Sequence, residues 1–293
     1  MLSTSTMKKR ILVIGVSGMV GSTVFKELFN SELYQVWGTV RSINNLSYFP
    51  NDMRSLLISD VDVLDYDALV SVMDQIQPDI VINTAGIVKQ SDTANAPLVV
   101  LPINAMFPHR LSKLCSLINA RLIHISTDCV FKGQKGMYTE HDISDAEDLY
   151  GKSKFIGEPL DCAHAVTLRT SLIGHEFKTK YSLLEWFLSQ TVTVKGYKNA
   201  VFSGLPTVEL ARVIMEFVIP NVSLSGLYHI AADRIDKYSL LMIIADIYGK
   251  EIEIIEDEEL HLDRSLDSSK FQMATGYMPP NWRELIKKMH KLN

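Results

Sequence analysis

Three regularly spaced glycines, Gly15, Gly18 and Gly21, separate an apolar run from an amphipathic segment near the start of the chain. Residues 11–14 are isoleucine, leucine and valine, which is typical of a strand buried on both faces. Residues 19–30 carry apolar side chains at helical spacing. Glycines in such a turn let backbone N–H groups approach a pyrophosphate at the helix N-terminus, so we expect a dinucleotide site. The predicted contacts are Gly15, Ser17, Gly18, Met19 and Val20.

Strand-like and helix-like patterns alternate over the first part of the chain. Strands separated by helical patterns imply βαβ units, so we predict an α/β fold with a doubly wound, Rossmann-type parallel sheet. After about Tyr150 the alternation loosens, and we expect a smaller α/β lobe there. Residues 7–170 are predicted to form a dinucleotide-binding domain, completed by further strands from beyond residue 170, and residues 171–293 mainly a substrate-binding lobe. The predicted strands are 34–40, 55–59, 79–83, 121–126 and 165–170, and the predicted helices are 65–76, 104–118, 150–160, 207–217 and 239–248.

Composition argues against several classes of partner. The 293 residues carry a net charge of -5, so we expect neither a nucleic-acid nor a membrane partner. No apolar run reaches the ~18 residues of a membrane span, and residues 1–7 lack the apolar core of a secretory signal. Cys115, Cys129 and Cys162 fit neither a disulfide framework nor a metal-binding pair, and the histidines show no metal-ligand spacing. We therefore predict a cytoplasmic protein without a metal, and leave a homodimer open.

The end of the second predicted strand indicates which dinucleotide would be bound. Arg41 stands where a carboxylate would otherwise bind a ribose 2′-hydroxyl, and a guanidinium suits a 2′-phosphate. We therefore predict a preference for NADP(H), with NAD(H) as the alternative. Asp62 and Val63 follow the third strand and would lie near the adenine. Ala85 and Gly86 follow the fourth strand, where backbone would pass close to the cofactor.

A tyrosine and a lysine four residues apart suggest a reacting centre. Tyr150 and Lys154 would lie on one helix face, where the ammonium is expected to lower the tyrosine pKa and favour proton transfer. Thr127 follows the strand 121–126, so its hydroxyl can meet the Tyr150 phenol at the mouth of the sheet. We predict Thr127, Tyr150 and Lys154 to be the catalytic residues, the last two also contacting the cofactor.

These motifs, taken together and in this order, resemble the extended short-chain dehydrogenase/reductase superfamily, and more narrowly its dTDP-4-dehydrorhamnose reductase group. The resemblance spans nearly the whole chain. The superfamily motifs are the glycine turn, Asn83-Thr84-Ala85-Gly86, Ser126-Thr127-Asp128 and Tyr150-Gly151-Lys152-Ser153-Lys154. The narrower likeness is carried by residues 125–131, Gly133, Glu140, residues 150–158, 168–171 and 264–271, and Trp282.

The resemblance implies hydride transfer from NADPH to C4 of a nucleotide-linked 4-keto-6-deoxy sugar. Tyr150 would protonate the new alkoxide, Thr127 would hydrogen-bond the carbonyl oxygen, and Lys154 would hold the nicotinamide ribose. Two departures fall where the substrate should sit. Cys129 replaces the tyrosine usual in the group and is expected to be a small, partly buried filler rather than a reactive thiol, and residues 89–95 lack an acidic pair. Another nucleotide sugar is therefore left open as the substrate.

Two other functions stay open on the same scaffold. One is a sugar-nucleotide epimerase with a retained NAD. The other is a non-catalytic regulatory subunit, as in the beta subunit of methionine adenosyltransferase, against which the intact reacting residues argue. A dehydratase is disfavoured because Cys129 stands where such enzymes resembling this scaffold carry a glutamate.

Overall fold

The structure is a computed structural model that describes residues 8–177 and 180–292. Two earlier predictions fall outside this part: the absence of a signal sequence in residues 1–7, and residue 7 as the first residue of the dinucleotide-binding domain. The strands are β1 (Arg10–Ile14), β2 (Gln35–Thr39), β3 (Leu57–Ile58), β4 (Ile80–Asn83), β5 (Arg121–Thr127), β6 (Ala165–Thr170), β7 (Leu172–Ile173), β8 (Thr193–Tyr197), β9 (Ala200–Phe202), β10 (Leu205–Pro206), β11 (Gly226–His229), β12 (Ile235–Asp236), β13 (Glu253–Asp257) and β14 (Leu262–Asp263).

Most helices lie between these strands. The α-helices are α1 (Met19–Asn30), α2 (Asn51–Arg54), α3 (Tyr66–Ile76), α4 (Pro97–Val100), α5 (Phe107–Leu117), α6 (Leu149–Ile156), α7 (Leu183–Ser189), α8 (Thr207–Val213), α9 (Lys237–Tyr248), α10 (Ser269–Thr275) and α11 (Trp282–His290). Short 3₁₀ turns cover Ile43–Tyr48 and Asp128–Val130, and wider π-helical turns cover Leu101–Met106 and Ile214–Val218. None of these helices, within the described ranges, is long and apolar enough to cross a membrane.

The central sheet has seven parallel strands in the order β3-β2-β1-β4-β5-β6-β11. β1 is an interior strand between β2 and the central strand β4, and the chain winds outward from β1 in both directions. This confirms the predicted doubly wound α/β fold. The crevice beyond the carboxyl ends of β1 and β4, where the winding direction reverses, is the position at which such sheets bind ligands.

Alternate residues of β1 point into two apolar layers, which is why the whole run is hydrophobic. Ile11 and Val13 pack with α1, α8 and α11 on one face, whereas Leu12 and Ile14 pack with α3 and α5 on the other. All four side chains are fully buried. The glycine turn that follows is therefore anchored to a strand held from both sides.

The chain beyond residue 170 adds β11 to the edge of the main sheet and otherwise forms small sheets. These are the pair β7 and β10, the pair β8 and β13, and the trio β12-β9-β14. Helix α9 packs against β8, β9, β12 and β13 of these small sheets, and α10 packs against β11.

Several predicted elements differ from the observed ones. The predicted helix 207–217 is regular only as α8, since Ile214–Val218 forms a π-helical turn after it. The predicted strand 55–59 pairs with β2 only through Leu57–Ile58. The predicted helix 104–118 is regular only as α5, since Leu101–Met106 forms a π-helical turn before it. The predicted helix 150–160 ends at Ile156, and Gly157 then packs so tightly on the Asn104 carbonyl that a Cβ there would lie 1.9 Å from the oxygen.

Candidate active site

The glycine turn after β1 forms a cradle that side chains would fill. Gly15 has a φ of +89°, which favours glycine, and a Cβ built on it would lie 3.0 Å from the Ala85 backbone. A Cβ on Gly21 would lie 2.4 Å from the Gly15 carbonyl oxygen. Gly18 caps α1 without a side-chain hydrogen bond, and is itself exposed. The N-terminal N–H groups of α1 are thus presented to the crevice, as binding of a pyrophosphate requires.

The other predicted cofactor contacts lie at the ends of neighbouring strands. Ser17, Met19 and Val20 are partly exposed on the same turn. The loop after β4 is tied to β1 by the Thr84 hydroxyl, which donates to the Ile14 carbonyl at 2.7 Å. This contact places Ala85, partly exposed, and Gly86, exposed, beside the glycine turn. The geometry therefore fits a bound dinucleotide at this edge.

Arg41 and Asp62 end adjacent strands and lie on one side of the crevice. The Val61 N–H donates to the Val40 carbonyl at 3.2 Å, which joins the segments that follow β2 and β3. Both Arg41 and Asp62 are exposed, and Val63 is partly buried. The Asp62 carboxylate accepts from the Leu64 N–H at 2.8 Å, which fixes the local conformation of its loop.

Thr127, Tyr150 and Lys154, the reacting residues predicted from sequence, come together where β5 and α6 meet. The Thr127 side chain lies close enough to the Tyr150 phenol to affect its pKa, and its hydroxyl donates to the Asp128 carboxylate at 3.2 Å. Lys154 is buried and donates from Nζ to the Ile125 carbonyl at 2.9 Å. A Cβ built on Gly86 would lie 3.9 Å from the same Nζ atom, so the lysine faces the cofactor loop after β4. The structure thus places the predicted reacting residues next to the predicted cofactor edge.

The prediction that Lys154 lowers the Tyr150 pKa is wrong when only the protein's own groups are considered. Burial raises the pKa of the phenol, the nearby Cys129 adds to the rise, and the Thr127 side chain opposes it. Lys154 is turned toward Ile125 and does not offset the burial. Tyr150 therefore holds its proton at neutral pH. The pKa of Lys154 is itself lowered to about 8 by burial, against the opposing effect of the Glu158 carboxylate.

Asn104 is a positioning residue that the sequence analysis did not single out. Its amide donates to the Ile87 carbonyl at 3.0 Å and accepts from the Ile87 N–H at 2.8 Å. The same amide lies 3.3 Å from the Ser153 hydroxyl on α6. It joins the loop after β4 to the helix that carries Tyr150 and Lys154. A buried asparagine inside an apolar segment was the available signal.

A carboxylate and a thiol follow Thr127 at the mouth of the site. Burial raises the pKa of Asp128, although Arg264 and hydrogen bonds from Thr127, Cys129 and Ser171 oppose this. Burial and Asp128 raise the pKa of the Cys129 thiol to about 12. A thiol with this pKa is a poor nucleophile, in keeping with its predicted role as a filler.

A buried ion pair, Glu158 with Arg169, lies next to the site. Glu158 accepts from Arg169 at 2.7 Å and 2.6 Å and from the Ser126 hydroxyl at 2.6 Å. Arg169 also lies over the Phe131 ring, 5.3 Å from its centroid. The network joins the segment that follows α6 to β5 and β6.

A sheet of this order, with a glycine turn after β1 and a tyrosine and lysine on one helix face at its carboxyl edge, defines the extended short-chain dehydrogenase/reductase scaffold. Within that class the chain belongs to the family described as RmlD substrate binding domain, whose model matches residues 8–292. The resemblance seen in the motifs is thereby confirmed.

Two curated relatives and one solved structure illustrate the similarity. The chain is 31% identical to the probable low-salt glycan biosynthesis reductase Agl14 of Haloferax volcanii, over 86% of this chain and 85% of that protein. It is 27% identical to methionine adenosyltransferase 2 subunit beta of Danio rerio, over 82% of this chain and 74% of that protein. The crystal structure of dTDP-4-dehydrorhamnose reductase from Bacillus anthracis in complex with NADP superposes with a TM-score of 0.81 at 19% identity, covering 99% of this chain and 100% of that chain. The last comparison shows the same fold.

Proposed function

We propose that the chain is an NADPH-dependent reductase of a nucleotide-linked 4-keto-6-deoxy sugar. The observation that carries the proposal is the proximity of the Thr127 side chain and the protonated Tyr150 phenol, next to a buried Lys154 and the cradle after β1. The reductase activities in the names of the Haloferax and Bacillus proteins support it. So does the NADP in the Bacillus complex.

In this proposal the side chains hold the carbonyl and supply one proton. When bound, the reduced nicotinamide supplies a hydride to C4 of the sugar. The Thr127 hydroxyl donates to the carbonyl oxygen, and the Tyr150 phenol gives its proton to that oxygen as the C–H bond forms. Solvent then returns a proton to Tyr150. A raised tyrosine pKa suits this direction, because the phenol is fully protonated before each turnover.

The cofactor is held, on this proposal, by Gly15, Ser17, Gly18, Met19 and Val20 at the pyrophosphate and by Lys154 at the nicotinamide ribose. Arg41 would bind the 2′-phosphate of NADP(H), with NAD(H) as the less favoured alternative. Residues 171–293 would mainly hold the nucleotide sugar. A cytoplasmic location and a homodimer belong to the same proposal, the former favoured by three free cysteines.

An NADPH oxidation screen against nucleotide-linked 4-keto sugars tests the activity. We expect turnover of at least one keto sugar, with product stereochemistry established by NMR and much slower oxidation of NADH. Epimerisation would instead appear as a changed sugar without net NADPH consumption and with NAD retained through gel filtration. The screen should include sugars other than the rhamnose precursor, because Cys129 departs from the usual residue at the substrate.

A regulatory subunit is the second candidate, favoured by the 27% identity to methionine adenosyltransferase 2 subunit beta. Such a protein would keep the cradle and the cofactor site but turn over no keto sugar. Co-purification with a larger enzyme, together with a negative screen, would support this candidate. A positive screen would exclude it as the whole function.

A further inference from the structure

His229 is a buried histidine that the proposed proton and hydride transfers do not use. It is the last residue of β11, and its side chain is withdrawn from solvent. In the register of the sheet it lies opposite Arg169, which in turn lies opposite Ser126. One polar row therefore crosses β5, β6 and β11 next to Thr127, the last residue of β5.

The partners of His229 determine which ring nitrogen carries the hydrogen. Nδ1 lies 3.0 Å from the Tyr138 carbonyl oxygen, which can only accept, so Nδ1 is the donor. Nε2 lies 3.4 Å from Nη1 of Arg169, which can only donate, so Nε2 is the acceptor. The ring is therefore neutral, in agreement with its pKa, which burial and Arg169 lower to about 4.

His229 holds residues 128–142, which we call the mouth segment. The ring bonds the Tyr138 carbonyl, and the backbone N–H of His229 donates to the Glu140 carboxylate at 2.7 Å. The Phe131 ring meets the His229 ring edge to face, with the centroids 6.0 Å apart. Three parts of the mouth segment thus depend on one residue of β11.

Tyr138 connects this contact to the turn that precedes it. Its hydroxyl accepts from three successive backbone N–H groups at 3.1 to 3.2 Å, those of Gly133, Gln134 and Lys135. Its ring stacks on Phe131, with the centroids 4.1 Å apart. Loss of the His229 bond to the Tyr138 carbonyl would therefore loosen the middle of the mouth segment as well.

The mouth segment also borders the reacting centre. A Cβ built on Gly151 would collide with the Cys129 carbonyl oxygen, so the backbone of the mouth segment touches α6 next to Tyr150. A displaced mouth segment would change the space beside the phenol. Thr127 itself pairs with Thr170 of β6, and its position does not depend on His229.

We propose that His229 is a positioning residue for the nucleotide sugar, which links the Glu158–Arg169 pair to the mouth segment and so fixes the substrate side of the site. This inference rests on the proposed function. The proposed cofactor contacts lie on the loops after β1 to β4 and on α6, outside the mouth segment. Loss of His229 should therefore affect sugar binding, and neither NADPH binding nor hydride transfer.

The test uses two variants that each keep one of the two ring hydrogen bonds. In His229→Asn the amide takes the place of Nδ1 and donates to Tyr138, whereas in His229→Gln the longer amide takes the place of Nε2 and accepts from Arg169. His164→Leu is the matched control. It removes a histidine that bonds another backbone carbonyl, that of Ser112 at 2.9 Å, just before β6 at the opposite edge of the sheet.

Four quantities are measured for each variant. These are KM and kcat for the keto sugar that wild type reduces, the dissociation constant for NADPH, and amide hydrogen exchange over residues 133–138. We expect His229→Gln to speed the exchange and to raise KM by about 10-fold, with kcat and NADPH affinity nearly unchanged. His229→Asn and His164→Leu should keep the wild-type KM, because the bond to Tyr138 is retained in both.

An unchanged KM in His229→Gln, an equal rise of KM in His229→Asn, or a loss confined to kcat would overturn the positioning role and leave the reductase proposal intact. If His229→Gln does not fold, Tyr138→Phe provides the comparison, because it frees the same turn without altering the sheet. Its KM should also rise, and an unchanged KM would overturn the positioning role. Failure of wild type to reduce any keto sugar would overturn both proposals.

Discussion

Arg169 donates two hydrogen bonds to Glu158, at 2.7 Å and 2.6 Å, with both side chains withdrawn from solvent behind the reacting residues. The carboxylate also accepts from Ser126 and raises the pKa of Lys154, opposing the effect of burial. The same carboxylate therefore helps to hold the sheet together and helps to keep Lys154 charged.

Glu158→Gln should lower the free energy of unfolding by about 3 to 5 kcal/mol, because it leaves the Arg169 guanidinium buried without a counter-charge. Urea denaturation followed by circular dichroism measures the change. The matched control is Glu147→Gln, which breaks the exposed Lys132–Glu147 pair and should change stability by less than ~1 kcal/mol. Equal effects of the two substitutions would contradict the stabilising role of the buried pair.

Gly21→Ala and Gly18→Ala should distinguish the contribution of the glycine turn to stability from its contribution to cofactor binding. A Cβ at position 21 would lie 2.4 Å from the Gly15 carbonyl oxygen, so this variant should lose both stability and cofactor affinity. A Cβ at position 18 meets that oxygen at an ordinary 3.5 Å, so stability should be retained while the added methyl group hinders the pyrophosphate. Thermal unfolding and NADPH fluorescence titration measure the two effects. Full NADPH affinity in Gly18→Ala would argue against a pyrophosphate at this turn.

Tyr150→Phe should reduce kcat by about 10²- to 10⁴-fold, because the proton donor is lost. NADPH should still bind, since Lys154 and the glycine turn are unchanged. Stopped-flow oxidation of NADPH gives the rate, and fluorescence titration gives the affinity. Retention of most of the activity would remove Tyr150 from the proposed mechanism.

Lys154 gives the site a pH dependence of known sign. Its pKa is lowered to about 8, so its charge is present at pH 7 and is lost as the pH rises through 8. The dissociation constant for NADPH should therefore increase between pH 7 and pH 9, since a neutral amine binds ribose hydroxyls less strongly. In Lys154→Met the affinity should be weaker and nearly constant over that range. A wild-type profile as flat as that of the variant would refute this assignment.

Arg41→Ala should weaken NADPH binding by about 10- to 100-fold and leave NADH binding nearly unchanged, because only NADPH carries the 2′-phosphate. Titration of both cofactors against both proteins provides the comparison. If the affinities for the two cofactors fall equally, Arg41 does not bind the 2′-phosphate.

Local pattern was sufficient for the elements that build the crevice. The buried run before Gly15, the glycine spacing and the i, i+4 relation of Tyr150 and Lys154 depend on residues close in sequence, so periodicity and spacing predict them. The structure places these residues together as expected. The Tyr150 pKa was predicted in the wrong direction, because burial by distant parts of the chain is invisible to a local motif.

Contacts between distant segments could not be predicted from sequence. Lys237 interacts electrostatically with Asp128 from more than a hundred residues away in sequence, and it lies on a helix that carries no short motif. The early end of α6 depends on Gly157 packing against Asn104, another long-range contact. The proposed substrate lobe is built from such contacts, so the residues that would hold the nucleotide sugar could not be predicted from the sequence.

β11 covers the outer edge of β6, and the Ile230 N–H after it donates to the Arg169 carbonyl at 2.9 Å. During synthesis, therefore, the seven-strand sheet cannot be completed until about residue 230 has left the ribosome. A fragment cut at residue 170 would expose the unpaired backbone of β6, a template for association between molecules. The first 170 residues should therefore not fold as an independent unit, and transferring them to another protein would require β11 as well.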